Sequence, residues 1–210
     1  MKKKQTLILS IGISLFLLLG IVGLKFHNRI YTWTLGDVQS LYAQAESLYQ
    51  QKEYEEARKL YAKLAGIDSA SRCQYVLGDM YFQGQGGEKD YDKARRLFIQ
   101  AAEGGNADAQ NNLGYIYTLG IGTDTDFNEA KKWLRMGAAQ QGLPAAQFNL
   151  GRMYQLGKGV PQDNQEARRL FRQASAQGHQ LATDFLIKME AKDSTSVNDT
   201  IFKMKMIKYI

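Results

Sequence analysis

Cysteine, proline and histidine are nearly missing from this sequence, which holds one Cys, two Pro and two His in 210 residues. A single cysteine, Cys73, excludes an internal disulfide and reads as a small buried apolar residue. Neither His27 nor His179 has a Glu or His at metal-ligand spacing, so zinc and general-base roles find no support. Alternating Val/Ile/Thr stretches of the kind that mark sheets are also missing. A basic domain is lacking too, despite a net charge of +6: residues 33–190 hold eighteen Lys/Arg against nineteen Asp/Glu. The excess sits in the N-terminal flanks and at Lys192, Lys203, Lys205 and Lys208, which argues against nucleic-acid binding.

What is present begins with an apolar run. Residues 1–5 are basic, and residues 6–24, "TLILSIGISLFLLLGIVGL", contain no charge. As a helix this run reaches about 28 Å, close to the hydrocarbon thickness of a bilayer. It passes directly into "KFHNR" without an Ala-x-Ala-like cleavage site, so the reading is an uncleaved signal anchor rather than a signal peptide. Lys2, Lys3 and Lys4 precede the span, against Lys25 and Arg29 after it. The positive-inside rule then keeps the N-terminus in the cytoplasm and places the long C-terminal part across the membrane. The expectation is a single-pass protein of the bacterial inner membrane with its main domain in the periplasm, joined through a linker at 25–37.

A fourteen-residue pattern occurs three times: "YFQGQGGEKDYDKA" at 81–94, "YTLGIGTDTDFNEA" at 117–130 and "YQLGKGVPQDNQEA" at 154–167. Each has Tyr first, Gly-x-Gly at places four and six, Asp tenth and Ala last. The starts lie 36 and 37 residues apart, and Leu77-Gly78, Leu113-Gly114 and Leu150-Gly151 precede the tyrosines. Self-similarity of this period is the signature of a solenoid. Apolar residues four apart, such as Cys73, Leu77 and Tyr81, predict a first helix in each unit. Ala94, Leu97, Phe98 and Ala101 predict the second. Gly78, Gly114 and Gly151 fall mid-helix, where glycine costs about 0.5–1 kcal/mol relative to alanine, and so imply close contact between helix backbones. Asp90, Asp126 and Asp163 are placed to cap the second helices. A glycine loop that repeats between helices is a turn, whereas a phosphate-binding loop follows a strand and occurs once.

The units are bounded as 71–106, 107–143 and 144–179. Upstream, residues 38–70 form a helix pair in which Ala45, Leu48, Tyr54, Ala57, Tyr61 and Leu64 match tetratricopeptide packing positions. Residues 180–190 read as a capping helix, and 191–210 as a flexible tail that is polar at first and then basic-apolar. The three motif pieces "LGDMYFQGQGGEKDYDKARRLFIQAAEGG", "LGYIYTLGIGTDTDFNEAKKWLRMGAAQQG" and "LGRMYQLGKGVPQDNQEARRLFRQASAQG" resemble Sel-one-like repeats, tetratricopeptide relatives with a longer glycine-containing turn. The resemblance implies an all-α fold, an α/α solenoid that holds other proteins. Its disulfide-bearing subgroup does not apply to a chain with one cysteine.

The tetratricopeptide register implies which residues line a concave groove. Counted from the small residue of each first helix, Tyr42, Tyr75, Asn111 and Phe148 lie three before it. Glu46, Asp79, Tyr115 and Arg152 lie one after, and Tyr49, Phe82, Thr118 and Gln155 four after. Six of these twelve are aromatic, which is high for solvated positions and typical of protein recognition surfaces. The alternative is that several are half-buried between neighbouring helices. The sequence thus points to a non-enzymatic interaction module, without metal, cofactor or small-molecule substrate, that docks an envelope protein. A second reading, by analogy, is an immunity protein that neutralises a toxic enzyme in the periplasm.

Overall fold

A computed structural model of the chain describes residue 36 and residues 38–66, 71–140 and 142–192. Among the described residues there are nine helices and no strand. They are α1 (38–50), α2 (Tyr54–Ala65), α3 (Ser71–Gln83), α4 (Tyr91–Glu103), α5 (Ala107–Leu119), α6 (Phe127–Gln140), α7 (Pro144–Leu156), α8 (Asn164–Ala176) and α9 (180–192). The apolar run at 6–24, the linker and the tail beyond residue 192 lie outside the described residues. The chain forms two compact units, Met1–Leu60 and Tyr61–Ile210, whose boundary falls inside α2.

In the first unit, α1 and the start of α2 are joined by a short turn. Lys52 takes the left-handed conformation (φ 63°) without being glycine. The Lys52 N–H donates to the Tyr49 carbonyl (3.0 Å) and the Glu53 N–H to that of Leu48 (2.9 Å), a Schellman closure of α1. Tyr49 and Tyr54 meet edge to face across it at 5.4 Å, and Ala45 and Ala57 are fully buried.

In the second unit three helix hairpins, α3/α4, α5/α6 and α7/α8, follow one another, with α4 against α5, α6 against α7, and α5 beside α7. Each hairpin closes on the mid-helix glycine. The Phe98 ring of α4 covers Gly78, Leu134 of α6 covers Gly114, and the Phe171 ring of α8 covers Gly151. A methyl on Gly78 would lie 2.9 Å from the Phe98 ring, and one on Gly151 2.7 Å from that of Phe171. The close contact expected at these glycines is therefore made mainly by a second-helix side chain. Backbone is only the next neighbour, with the Ala94 and Ala167 carbonyls at 3.3 Å. The three covering side chains are almost wholly buried, so each joins the core through the space that glycine leaves.

The long turns show why Tyr and Asp stand nine residues apart. The N–H groups of Asp90, Asp126 and Asp163 donate back to the carbonyls of Tyr81, Tyr117 and Tyr154 at 3.0, 2.9 and 2.9 Å. The same aspartates accept from the first N–H groups of the following helix: Asp90 from Lys93, Asp126 from Asn128 and Glu129, Asp163 from Gln165 and Glu166. The first glycine of each later turn ends its helix in the left-handed region, Gly120 at φ 68° and Gly157 at φ 64°. The second glycine lies on the previous hairpin. A side chain at Gly122 would overlap Tyr91, and one at Gly159 would overlap Phe127, each the first residue of a preceding second helix. Two cations at matching places complete the link, Arg95 donating to the Gly122 carbonyl (2.9 Å) and Lys131 to that of Gly159 (3.3 Å).

Stacking buries successive apolar clusters. Ala130 and Leu134 of α6 pack with Ala146, Leu150 and Met153 of α7 and Leu170 of α8. Gln74 and Gln110, 36 residues apart, donate to the carbonyls of Ala65 and Ala102, tying each first helix to the end of the helix before it. The last helix, α9, adds Ala182 and Met189 to Ala167, Phe171 and Ala174. Ile187 stands where the repeats carry glycine and is 60% exposed.

Gly114→Ala gains about 1 kcal/mol of helix propensity. Its methyl must displace Leu134, for which overpacking costs about 1–3 kcal/mol. A lower urea midpoint than that of the parent is the expected outcome. Asp163→Ala should lower stability by about 1 kcal/mol, while Asp163→Asn should keep most of it, since Asn caps comparably; thermal unfolding of the two variants separates them.

Candidate functional site

A trough opens between the first helices of the second and third repeats. Residues spaced four apart on α5 (Asn111, Tyr115, Leu119) and on α7 (Phe148, Arg152, Leu156) share a face of their helix. The Asn149 amide donates to the Asn111 side-chain oxygen at 2.8 Å, which ties the two helices together. The cavity holds about 230 Å³ and is lined by Tyr115, Thr118, Leu119, Phe148, Asn149, Arg152, Met153, Leu156 and Lys158. Among the described residues, five large apolar side chains are prominently exposed, and three of them line this trough: Tyr115 at 47%, Leu119 at 51% and Leu156 at 50%.

The two leucines are exposed for a local reason. Each is the last residue of its helix before the left-handed glycine, Leu119 before Gly120 and Leu156 before Gly157. There the chain turns at the glycine, and among the described residues each side chain stays half-exposed. The first repeat has Gln83 at the same place, so its surface differs in kind.

Two cations stand at the trough, and no carboxylate lines it. The Arg152 guanidinium lies over the Phe185 ring of α9, 4.4 Å from the centroid, and donates to the Gln155 side-chain oxygen at 3.1 Å. Lys158, between the two glycines of its turn, holds its ammonium 5.8 Å from the centre of the Phe127 ring. Neither is ion-paired among the described residues. Thr118 turns its hydroxyl back to the Gly114 carbonyl at 2.7 Å.

The sequence-derived groove residues fall into several places. Tyr42, Glu46 and Tyr49 belong to α1 in the first unit, each partly buried, and Glu46 accepts from Gln50 at 3.0 Å. Tyr75 and Phe82 are held against their own hairpin, with ring centres 6.0 and 6.4 Å from Phe98, and Phe82 also meets Tyr91 at 5.3 Å. Asp79 accepts from the Gln83 amide. Phe148 packs on Phe171 (5.5 Å), Phe185 (5.5 Å) and His179 (4.9 Å), which leaves only part of the ring to the trough. Gln155 holds Arg152, and Asn111 holds Asn149. Tyr115, Phe148, Arg152 and Thr118 therefore converge, and Leu119, Asn149, Met153, Leu156 and Lys158 join them. The signal for the leucines is in the repeats, where an apolar residue replaces Gln83 at a helix end that no partner element follows.

Among the described residues no three His, Cys, Asp or Glu side chains converge on a metal position. His179 stacks on Phe148 and its Nδ1 accepts from the Ala182 N–H at 3.3 Å, at the start of α9. Burial pushes the Cys73 thiol above its ordinary pKa, against a smaller opposing pull from Arg72. A raised pKa means less thiolate at neutral pH and slow attack on disulfide reagents. Labelling with a chromogenic disulfide should be slow in the native protein and fast in denaturant; equal rates would place Cys73 among reactive thiols.

Comparison with known proteins matches the family model "Sel1 repeat" at residues 71–106, 107–142 and 144–179, together about half the chain. Human protein sel-1 homolog 2 is 36% identical over 95 residues, 45% of this chain and 14% of that protein. HRD3A of Arabidopsis thaliana, an ERAD-associated E3 ubiquitin-protein ligase component, is 31% identical over 82 residues, 39% of this chain and 12% of its own. The chain thus spans only a small fraction of the curated relatives it matches. Among solved structures, a protective antigen present in uropathogenic Escherichia coli strains, with an SLR fold, superposes with a TM-score of 0.70 at 29% identity, covering 75% of this chain and 34% of that one. A Sel1 repeat protein from Oxalobacter formigenes gives 0.64 at 30% identity, covering 72% and 62%.

Proposed function

This chain belongs to the Sel1 repeat family, and on that premise we propose that it is a protein–protein interaction module that takes a segment of a partner protein into the trough between α5 and α7. Sel1-repeat proteins serve as interaction modules, and a relative named as a component of a ubiquitin ligase is consistent with that use. The observation that carries the reading is the gathering of Tyr115, Leu119 and Leu156, half-exposed, around one cavity. Exposed aromatic and apolar side chains converging on a concave site are what a docking segment covers. The backbone beneath them is fixed by the hairpin cores, so little ordering opposes binding.

The setting in this reading is the bacterial envelope. Residues 6–24 anchor the chain in the inner membrane, and the repeats face the periplasm. Among the described residues no helix is long and apolar enough to cross a membrane, and residues 6–24 lie outside them. The captured partner is a resident envelope protein. An immunity role would instead bring away a toxic enzyme.

In-cell crosslinking of the full-length protein, followed by identification of what is captured, tests this. Tyr115→Ala combined with Leu119→Ser removes exposed side chains only and should reduce capture at least about tenfold, equivalent to ~1.4 kcal/mol, with helicity unchanged. Capture that persists at the parental level would overturn the trough as the docking site. Phe148→Ala is a poor substitute. It removes a ring packed on three others and should cost stability by about 2–3 kcal/mol.

A further inference from the structure

Resting on that reading, we infer that the segment bound in the trough is acidic as well as apolar. It carries a leucine- or phenylalanine-sized anchor that lies between Leu119 and Leu156, and a carboxylate that meets Arg152 and Lys158. Cavity size fits one such anchor, since roughly 150 Å³ already accommodates a benzene ring and this trough holds about 230 Å³.

Charge decides the rest. Both cations at the trough lack a carboxylate partner among the described residues, and no acidic side chain lines the cavity. Arg152 is held in place by Phe185 behind it and Gln155 beside it, so its guanidinium is positioned before any ligand arrives. A fixed guanidinium next to apolar surface, without an ion-pair partner among the described residues, donates a charge-assisted hydrogen bond to an incoming carboxylate in preference to a neutral group. It disfavours a cationic one.

The same charges argue against two occupants close at hand. The chain's own end, "IFKMKMIKYI", is apolar enough but carries Lys203, Lys205 and Lys208 and no acid, so it would set like charge against like. A second copy docked symmetrically through this face would oppose Arg152 and Lys158 to themselves.

Selection from a random dodecapeptide library on the full chain in nanodiscs tests the inference. The selected peptides should combine Asp or Glu with Leu, Ile or Phe, and a synthetic peptide of residues 201–210 should bind at least about tenfold more weakly than they do. Arg152→Glu with Lys158→Glu should invert the preference toward Lys and Arg. Lys158→Glu alone, an exposed change that leaves the Arg152 packing intact, should weaken it and guards against misfolding of the double variant. Binding of the acidic peptides should also weaken with added salt. Selected peptides without acidic bias, or a bias that the reversed charges leave unchanged, would overturn the acidic partner while leaving the trough as a docking site. The same holds if no peptide is selected although crosslinking still depends on Tyr115 and Leu119. If that dependence is lost as well, the docking site itself fails with it.

Discussion

The contact between a second-helix side chain and a first-helix glycine is the constraint on which this architecture rests. Phe98 on Gly78, Leu134 on Gly114 and Phe171 on Gly151 let two helices of a hairpin approach with a bulky group between them and no void. Any larger residue at the glycine would push the helices apart, and the interior is too closely packed to absorb the shift locally. In α9 that condition lapses: Ile187 stands at the glycine position, and the helix packs through Ala182 and Met189 on Ala167, Phe171 and Ala174 of α8.

The long turn transmits this spacing from one hairpin to the next. Its carbonyls, cap and glycines are all committed: Tyr to Asp across its base, Asp to the new helix, and the second glycine to the hairpin before. Because Gly122 and Gly159 lie directly on Tyr91 and Phe127, and Arg95 and Lys131 grip the same turns, the repeats are fixed in register by contacts only side-chain-free residues permit. The first unit solves its turn differently, with a lysine in the left-handed region and a short Schellman closure, and it lacks the glycine pair.

Function follows from what this packing leaves uncovered. The first helices of the second and third repeats, α5 and α7, lie side by side, and each ends in a leucine before a left-handed glycine. Leu119 and Leu156, placed there, stay half-exposed among the described residues. Two cations and, among the described residues, no carboxylate share the same recess, so it combines apolar side chains with positive charge.

The sequence alone determined the helix pairs, the glycine turns and the aspartate caps, because each is written in a local pattern repeated three times. Periodicity of 36 and 37 residues leaves no other economical fold. It also read Cys73 as a small buried residue, and the side chain is buried. What it did not decide was how far each aromatic on a first helix is consumed by its own hairpin. Tyr75 and Phe148 stand three residues before the helix glycine and Phe82 four after it, and they pack on Phe98 or Phe171 of their own hairpins; Tyr115 stands one after it and remains exposed. The difference lies in which side of the first helix each position faces. The trough is likewise a product of two helices 37 residues apart in sequence, whose meeting no local pattern contains. Local chemistry set the elements; only their packing decided which side chains were left for a partner.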